Sequence, residues 1–268
     1  MSNSMEMWKV KEFNSSANVE WWDSMVPQFD GCDVPQVEDN FTMGVISKQK
    51  MIKPGGIALD IGCGAGRYSF AFCNMGAAVI GVDVSLKMID NACKNTNGRE
   101  NICFYNEDWH NLDIDAKGWR GSFDFVLANM TPAIIDSVSF VKMSEASRDW
   151  CLMVKAINRK NSLYDELNEL VGAPNDKAVT DETVEYAFSI LWSRGYRPFL
   201  AYERQEWYNK KPLDQAIEQY TKRVSTFHTL DDAQRELIRD FITLQAVDGK
   251  VEEITNMEIV ALYWQVKR

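Results

Sequence analysis

The stretch LDIGCGAGRYSF at residues 59–70 sets a carboxylate, Asp60, two positions ahead of three glycines, Gly62, Gly64 and Gly66. Glycines at this spacing let the backbone take positive φ and approach a ligand closely. A glycine-rich turn between strand and helix is also the ligand crevice of open α/β sheets. Taken alone it suits NAD, FAD or any other adenosine cofactor. Three features narrow the chemistry. The dinucleotide pattern GxGxxG is broken, because the third glycine comes one residue early and Arg67 occupies its place. Asp60 stands where a carboxylate attracts an ammonium group and repels a pyrophosphate. Asp83, closing the run AVIGVD, can accept both hydroxyls of a ribose. Asp108 and Trp109, in NEDW (106–109), suit the exocyclic amine and the face of an adenine. Ammonium, ribose and adenine without phosphate describe S-adenosylmethionine.

Such groups need strand ends to hold them. IALDI (57–61), AVIGVDV (78–84), NICFYN (101–106), FDFVLAN (123–129) and CLMVKAI (151–157) read as short apolar strands. Between them lie helix-length segments: RYSFAFCNM, stopped by Gly76; a stretch capped by Ser85 through about Asn95; and residues 133–146 after Pro132. Continuous apolar strands alternating with helices predict a parallel sheet covered on both faces. Further on, helices are expected near 162–171, 181–194, 213–226 and 231–246, with strands near 199–206 and 257–266.

The segments LDIGCGAGR, VIGVDVS, NEDW and FDFVLANMTP, in this order and spacing, resemble the successive cofactor motifs of the class I SAM-dependent methyltransferases. That resemblance implies a Rossmann-like α/β fold, with a seven-stranded, mostly parallel sheet in the order 3-2-1-4-5-7-6 and strand 7 antiparallel. It implies S-adenosylmethionine as cofactor and S-adenosylhomocysteine as product. Asp60 and Gly62 would hold the methionine end, beside Cys63, with Gly64 and Gly66 shaping the loop. Asp83 would bind the ribose. Val84 and Met88 would pack on adenine, Asp108 and Trp109 would complete that pocket, and Asn129 would face the methyl group. The expected organisation is one domain over 1–268: an aromatic cap or lid at 1–50, a cofactor core at 51–158, and a helical insertion at 207–255.

The acceptor is less legible. Lys and Arg total 29 against 39 Asp and Glu, a net charge of −10, which disfavours nucleic acid and anionic membrane surfaces. No apolar run approaches the roughly 18 residues of a spanning helix, and MSNSMEMWKV lacks a secretory pattern, so a cytoplasmic protein is expected. Six cysteines without CxxC pairing (Cys32, Cys63, Cys73, Cys93, Cys103, Cys151) read as buried free thiols, and two histidines, His110 and His228, do not suggest a metal site. His110 is the nearest candidate base, with a solvated loop residue as the plainer reading. NMTP (129–132) superficially resembles the NPPY-type tetrad of amide and exocyclic-amine N-methyltransferases, but Met130 and Thr131 depart from it, so nucleobase methylation is not expected. Trp8, Trp21, Trp22 and Phe41, with Trp207, Tyr208 and Tyr220, are either a lid over a small substrate or core residues; Trp21, Trp22 and Tyr208 are the candidate substrate contacts. A small-molecule acceptor is the expectation. A protein or peptide side chain, or a non-catalytic SAM-binding role, are the alternatives.

Overall fold

The computed structural model describes residues 4–9, 14–29, 33–173 and 177–267. It opens with a single turn, α1 (Ser4–Met7), then α2 (Ser15–Met25), a 3-10 turn (Val26–Phe29) and α3 (Phe41–Gln49). Strand and helix then alternate: β1 (Ile57–Ile61), α4 (Arg67–Asn74), β2 (Ala78–Asp83), α5 (Leu86–Lys94), β3 (Ile102–Asn106), β4 (Phe123–Asn129), α6 (Ser137–Ala146) and β5 (Ser147–Asn161). The chain continues through α7 (Ser162–Val171), α8 (Lys177–Ser193), β6 (Phe199–Pro212), α9 (Leu213–Ser225), α10 (Asp232–Leu244) and β7 (Lys250–Gln265). The seven strands form one sheet in the order β3-β2-β1-β4-β5-β7-β6, as expected. Strands β1 to β5 pair in parallel, and β7 runs antiparallel between β5 and β6.

Local chemistry explains the boundaries. The Ser85 hydroxyl accepts from Met88 N at 3.1 Å and so starts α5, and Gly76 takes φ 86° just after α4. The helix expected from residue 133 begins only at Ser137, because Asp136 and Ser139 form a reciprocal cap there. Both sheet faces are buried. On one, α3 and α4 supply Met43, Ile46, Phe70 and Phe72; on the other, α6 and α8 supply Phe140, Met143, Ile190 and Leu191.

Two expectations need correction. Residues 207–212 and 250–255 are strand, so the helical insertion is confined to α9, α10 and their connections. The last three strands are 14 to 16 residues long against five to seven in β1 to β4. Their upper halves project beyond the cofactor edge as an arm. One face of this arm is backed by α7, α9 and α10 through Leu167, Tyr220, Val224, Ile238 and Val251. Nor is Trp8 a lid residue. It is 4% exposed, with its ring 5.3 Å from Phe140 in the core layer, and Ser137 N donates to its carbonyl. The thiols are mixed as well: Cys73 and Cys151 are buried, Cys93 and Cys103 exposed, and Cys32 lies outside the described residues. Among the described residues, no helix is long and apolar enough to cross a membrane, and no cluster of His, Cys, Asp and Glu suits a metal ion.

Candidate active site

Asp60 sits next to the end of β1 with 2% of its surface exposed, and its Oδ2 accepts from the Ser69 hydroxyl at 2.6 Å. Burial pushes its carboxyl up to about 7, and the neighbouring Asp83 charge adds to the effect. The loop that follows runs Gly62 (φ 66°), Gly64 (φ 53°) and Gly66 (φ 86°). At Gly62 the requirement is steric as well. A Cβ there would lie 1.9 Å from the Thr131 Oγ1, because the segment after β4 packs directly on the loop. Gly64 has open space beyond its Cα, as a backbone approached by a ligand requires.

Asp83 ends β2 beside this loop. Its Oδ2 accepts from Gly64 N at 2.9 Å and its Oδ1 from Ser85 N at 2.8 Å, so one carboxylate ties loop to helix start. Each oxygen keeps a further lone pair for a hydroxyl donor. Burial raises this carboxyl too. Asp23, which sequence reasoning missed, reaches the same corner from α2: it accepts from the Ser85 hydroxyl at 2.6 Å and pairs with Lys87 at 3.4 Å. No local pattern in EWWDSM marks it, since its partners are about 60 residues away.

The site as expected is brought together only in part. Asn129, at the end of β4, accepts at Oδ1 from the Thr42 hydroxyl of α3 at 3.0 Å, which orients its amide. Met130 next to it holds a left-handed backbone (φ 50°), uncommon for a bulky side chain. Lys155 pins this segment from below, donating to Thr131 O at 2.7 Å and Ile134 O at 3.3 Å; burial pushes its ammonium down to about 8. Val84 is half-buried beside Asp83. Met88 and Trp109 are 1% and 2% exposed, and the Trp109 Nε1 donates to Ser139 O. Both side chains are spent on packing and leave no face for adenine. Asp108 accepts from His110 N and the Asn111 amide, so part of its capacity shapes its own turn. Cys63 is half-buried, and burial with two nearby carboxylates pushes its thiol well up, which keeps it protonated and inert. The His110 ring has Asp136 Oδ2 as its nearest carboxylate, at 3.7 Å. Trp21 and Trp22 are half-buried with ring centroids 4.5 Å apart, whereas Tyr208 is 61% exposed.

The donor set fits S-adenosylmethionine. Two buried carboxylates lie side by side, and among the described residues neither has an ion-pair partner; an ammonium and a sulfonium supply the missing positive charge. Asp60 is placed for the charged methionine end, Asp83 for the ribose, and Gly64 for close backbone approach. The Arg67 side chain points away, its Nε donating to Asp33 O at 2.8 Å, so the third-glycine position of the dinucleotide pattern is closed.

Fold and site together define a class I SAM-dependent methyltransferase. Residues 52–199 match the family model described as "Methyltransferase domain", and the chain belongs to that family. Curated relatives align over their cofactor-binding parts. The 23S rRNA (uracil(1939)-C(5))-methyltransferase RlmD of Shewanella sp. (strain ANA-3) is 33% identical over 93 residues, 34% of this chain and 20% of that protein. The ribosomal protein L11 methyltransferase of Caldanaerobacter subterraneus subsp. tengcongensis is 35% identical over 85 residues, 31% of this chain and 26% of that one. A ubiquinone biosynthesis O-methyltransferase of Pelagibacter ubique is 32% identical over 95 residues, covering 33% and 39%. The chain thus spans well under half the length of each. Among solved structures, the [4+2]-cyclase SpnF superposes with a TM-score of 0.54 at 12% identity, over 96% of this chain and 97% of its own, a likeness of fold alone.

One substitution tests the ribose corner. Asp83→Ala removes a charged acceptor worth about 1.5–3 kcal/mol, so S-adenosylmethionine should bind roughly ten- to a hundred-fold more weakly. It also frees Gly64 N and Ser85 N, so a small loss of melting temperature should accompany it. An unchanged dissociation constant in a folded Asp83→Ala protein would remove the ribose assignment.

Proposed function

We propose that the enzyme methylates a small molecule held between α2, the 3-10 turn and the arm formed by β5, β6 and β7. The observation that carries this reading is the docking of α2. It is fastened to the cofactor corner through Asp23–Ser85 and Asp23–Lys87, and to α9 through Arg223, whose guanidinium carbon lies 6.0 Å from the Trp21 ring centre. The cofactor edge is therefore roofed, which suits a molecule that enters a cleft better than a folded RNA or protein surface. The net charge of −10 supports the same choice.

S-adenosylmethionine supplies an electrophilic methyl group on a sulfonium. The chain's own part is alignment and exclusion of water. Asp60 and Asp83 fix the two ends of the cofactor, and the Asn129 amide, held by Thr42, borders the place where acceptor meets methyl. Transfer in line needs little more once the acceptor is oriented, and no base is assigned to His110, whose ring faces Asp136.

Release of S-adenosylhomocysteine can be followed with cell extract separated by size. Turnover with the metabolite fraction, and none with purified RNA or protein fractions, is the expected result. Turnover confined to a macromolecular fraction would replace this reading with an RNA or protein acceptor, and none with any fraction would favour a SAM-binding role without catalysis.

A further inference from the structure

The inner face of the arm carries more positive charge than its own carboxylate balances. A cavity of about 440 Å³ opens there, with Arg159, Lys211, Glu253, Thr255, Trp207 and Gln28 among its lining. Lys211 is 6% exposed, pairs with Glu253 at 3.6 Å and donates to the Gln219 Oε1 at 3.2 Å. Glu253 is further occupied by the hydroxyl of Tyr220. Arg159 and Arg223 both act on this same Tyr220, and Arg223 lies 3.6 Å over the Tyr164 ring. Three cations thus converge on one carboxylate that is already bonded. A second observation points the same way. Gln219, 3% exposed, has its carbonyl fixed by Lys211 and by Gln28 at 3.3 Å, and among the described residues its Nε2 has no acceptor. Buried donors in excess over acceptors call for an anionic oxygen group.

We infer that this cavity is a subsite for a carboxylate or phosphate carried by the acceptor, with Arg159 and Lys211 as its charged contacts and Trp207 beside it as an aromatic wall. The inference rests on the small-molecule reading above and adds the class of substrate. Asn129 is level with Val154 in the sheet, and Arg159 lies five positions further along β5. At about 3.3 Å per residue that places the subsite roughly 16 Å beyond the methyl-transfer level, less the reach of the Arg159 side chain. The acceptor is then an elongated molecule with its nucleophile at one end and its anion at the other. Glu253 does not argue for a cationic acceptor, because Lys211 and Tyr220 consume its charge.

The test uses the full chain saturated with S-adenosylhomocysteine and four probes: phenyl phosphate, phenylacetate, the uncharged phenylacetamide and benzylammonium. Binding is read by calorimetry and by Trp fluorescence. An anion should bind about tenfold or more tightly than the amide, the ammonium should bind most weakly, and Arg159→Gln should erase the difference while Arg159→Lys restores part of it. Equal binding of amide and anion, preference for the ammonium, anion binding that survives Arg159→Gln, or no saturable anion binding would each overturn the subsite. The wild-type comparison of anion with amide stands even where a variant fails to fold. Binding of S-adenosylhomocysteine is the control that separates the two claims: intact cofactor binding without anion preference refutes the subsite alone, whereas turnover only on RNA or protein refutes the small-molecule reading beneath it.

Discussion

Asp60→Asn should make the cofactor-free protein more stable at pH 8 while weakening S-adenosylmethionine binding about a hundredfold. Its carboxyl is raised from the usual 3.8 to about 7 by burial, chiefly, and by the Asp83 charge. Between those two values the folded chain keeps a proton that the unfolded chain has already released. Stability therefore falls as pH rises through this window and is flat above about 7. The shift corresponds to about 4 kcal/mol, an order of magnitude for the cost of holding the bare charge. An amide never ionises, and its oxygen can still accept from the Ser69 hydroxyl, so the variant should escape that loss. It would also forfeit the charge that holds the cofactor's ammonium. Melting curves at pH 5 and pH 8, with and without cofactor, check both halves. A variant that loses stability between pH 5 and pH 8 as steeply as wild type would show that Asp60 is not the buried acid described.

Trp8→Ala should cost about 3–5 kcal/mol of stability, the usual range for removing a large aromatic side chain from a core. The ring packs on Phe140, which stacks in turn on Trp264 at 5.3 Å, on the sheet face covered by α6 and α8. Trp21→Ala should do the opposite: a modest change in melting temperature and a marked loss of turnover, since the half-buried Trp21 belongs to α2 over the cleft. Chemical denaturation of both variants, beside their steady-state rates, separates core from roof. Deleting residues 1–40 removes both contributions at once, so such a truncation should melt far lower than the full chain. If Trp8→Ala left stability unchanged, the docking of the N-terminal segment described above would be wrong.

Much of the cofactor half is legible in the residues themselves. Strands β1, β2 and β4 read as unbroken apolar runs because both of their faces are covered, and the glycine loop advertises its conformation through its composition. Asp60 and Asp83 stand at strand ends where only a ligand or a cap gives them a purpose. The arm is another matter. ERQEWYNKKP in β6 and the start of β7 have one face in water, so polar residues dominate and the run resembles a connection. Trp8 and Trp21 look alike in sequence, yet one is held by Phe140 and the other lies beside Arg223, partners more than 130 residues distant. Asp23, Thr42 and Lys155 act through single long-range hydrogen bonds that leave no local pattern. Trp109 misleads for the opposite reason: it follows the expected acidic residue, but its indole N–H is committed to Ser139 O.

The central claim is that a cation-binding carboxylate, buried and protonated near neutrality, receives the methionine end of S-adenosylmethionine. Calorimetric titration at pH 6 in buffers of different ionisation enthalpy tests it directly. At that pH most Asp60 side chains carry a proton, and binding a cation beside them should expel it, so the heat should vary with buffer by an amount equal to about one proton released per S-adenosylmethionine bound. The release should vanish in Asp60→Asn, and NAD should give no comparable binding. Buffer-independent heat in the wild-type protein, or tighter binding of NAD than of S-adenosylmethionine, would contradict the account.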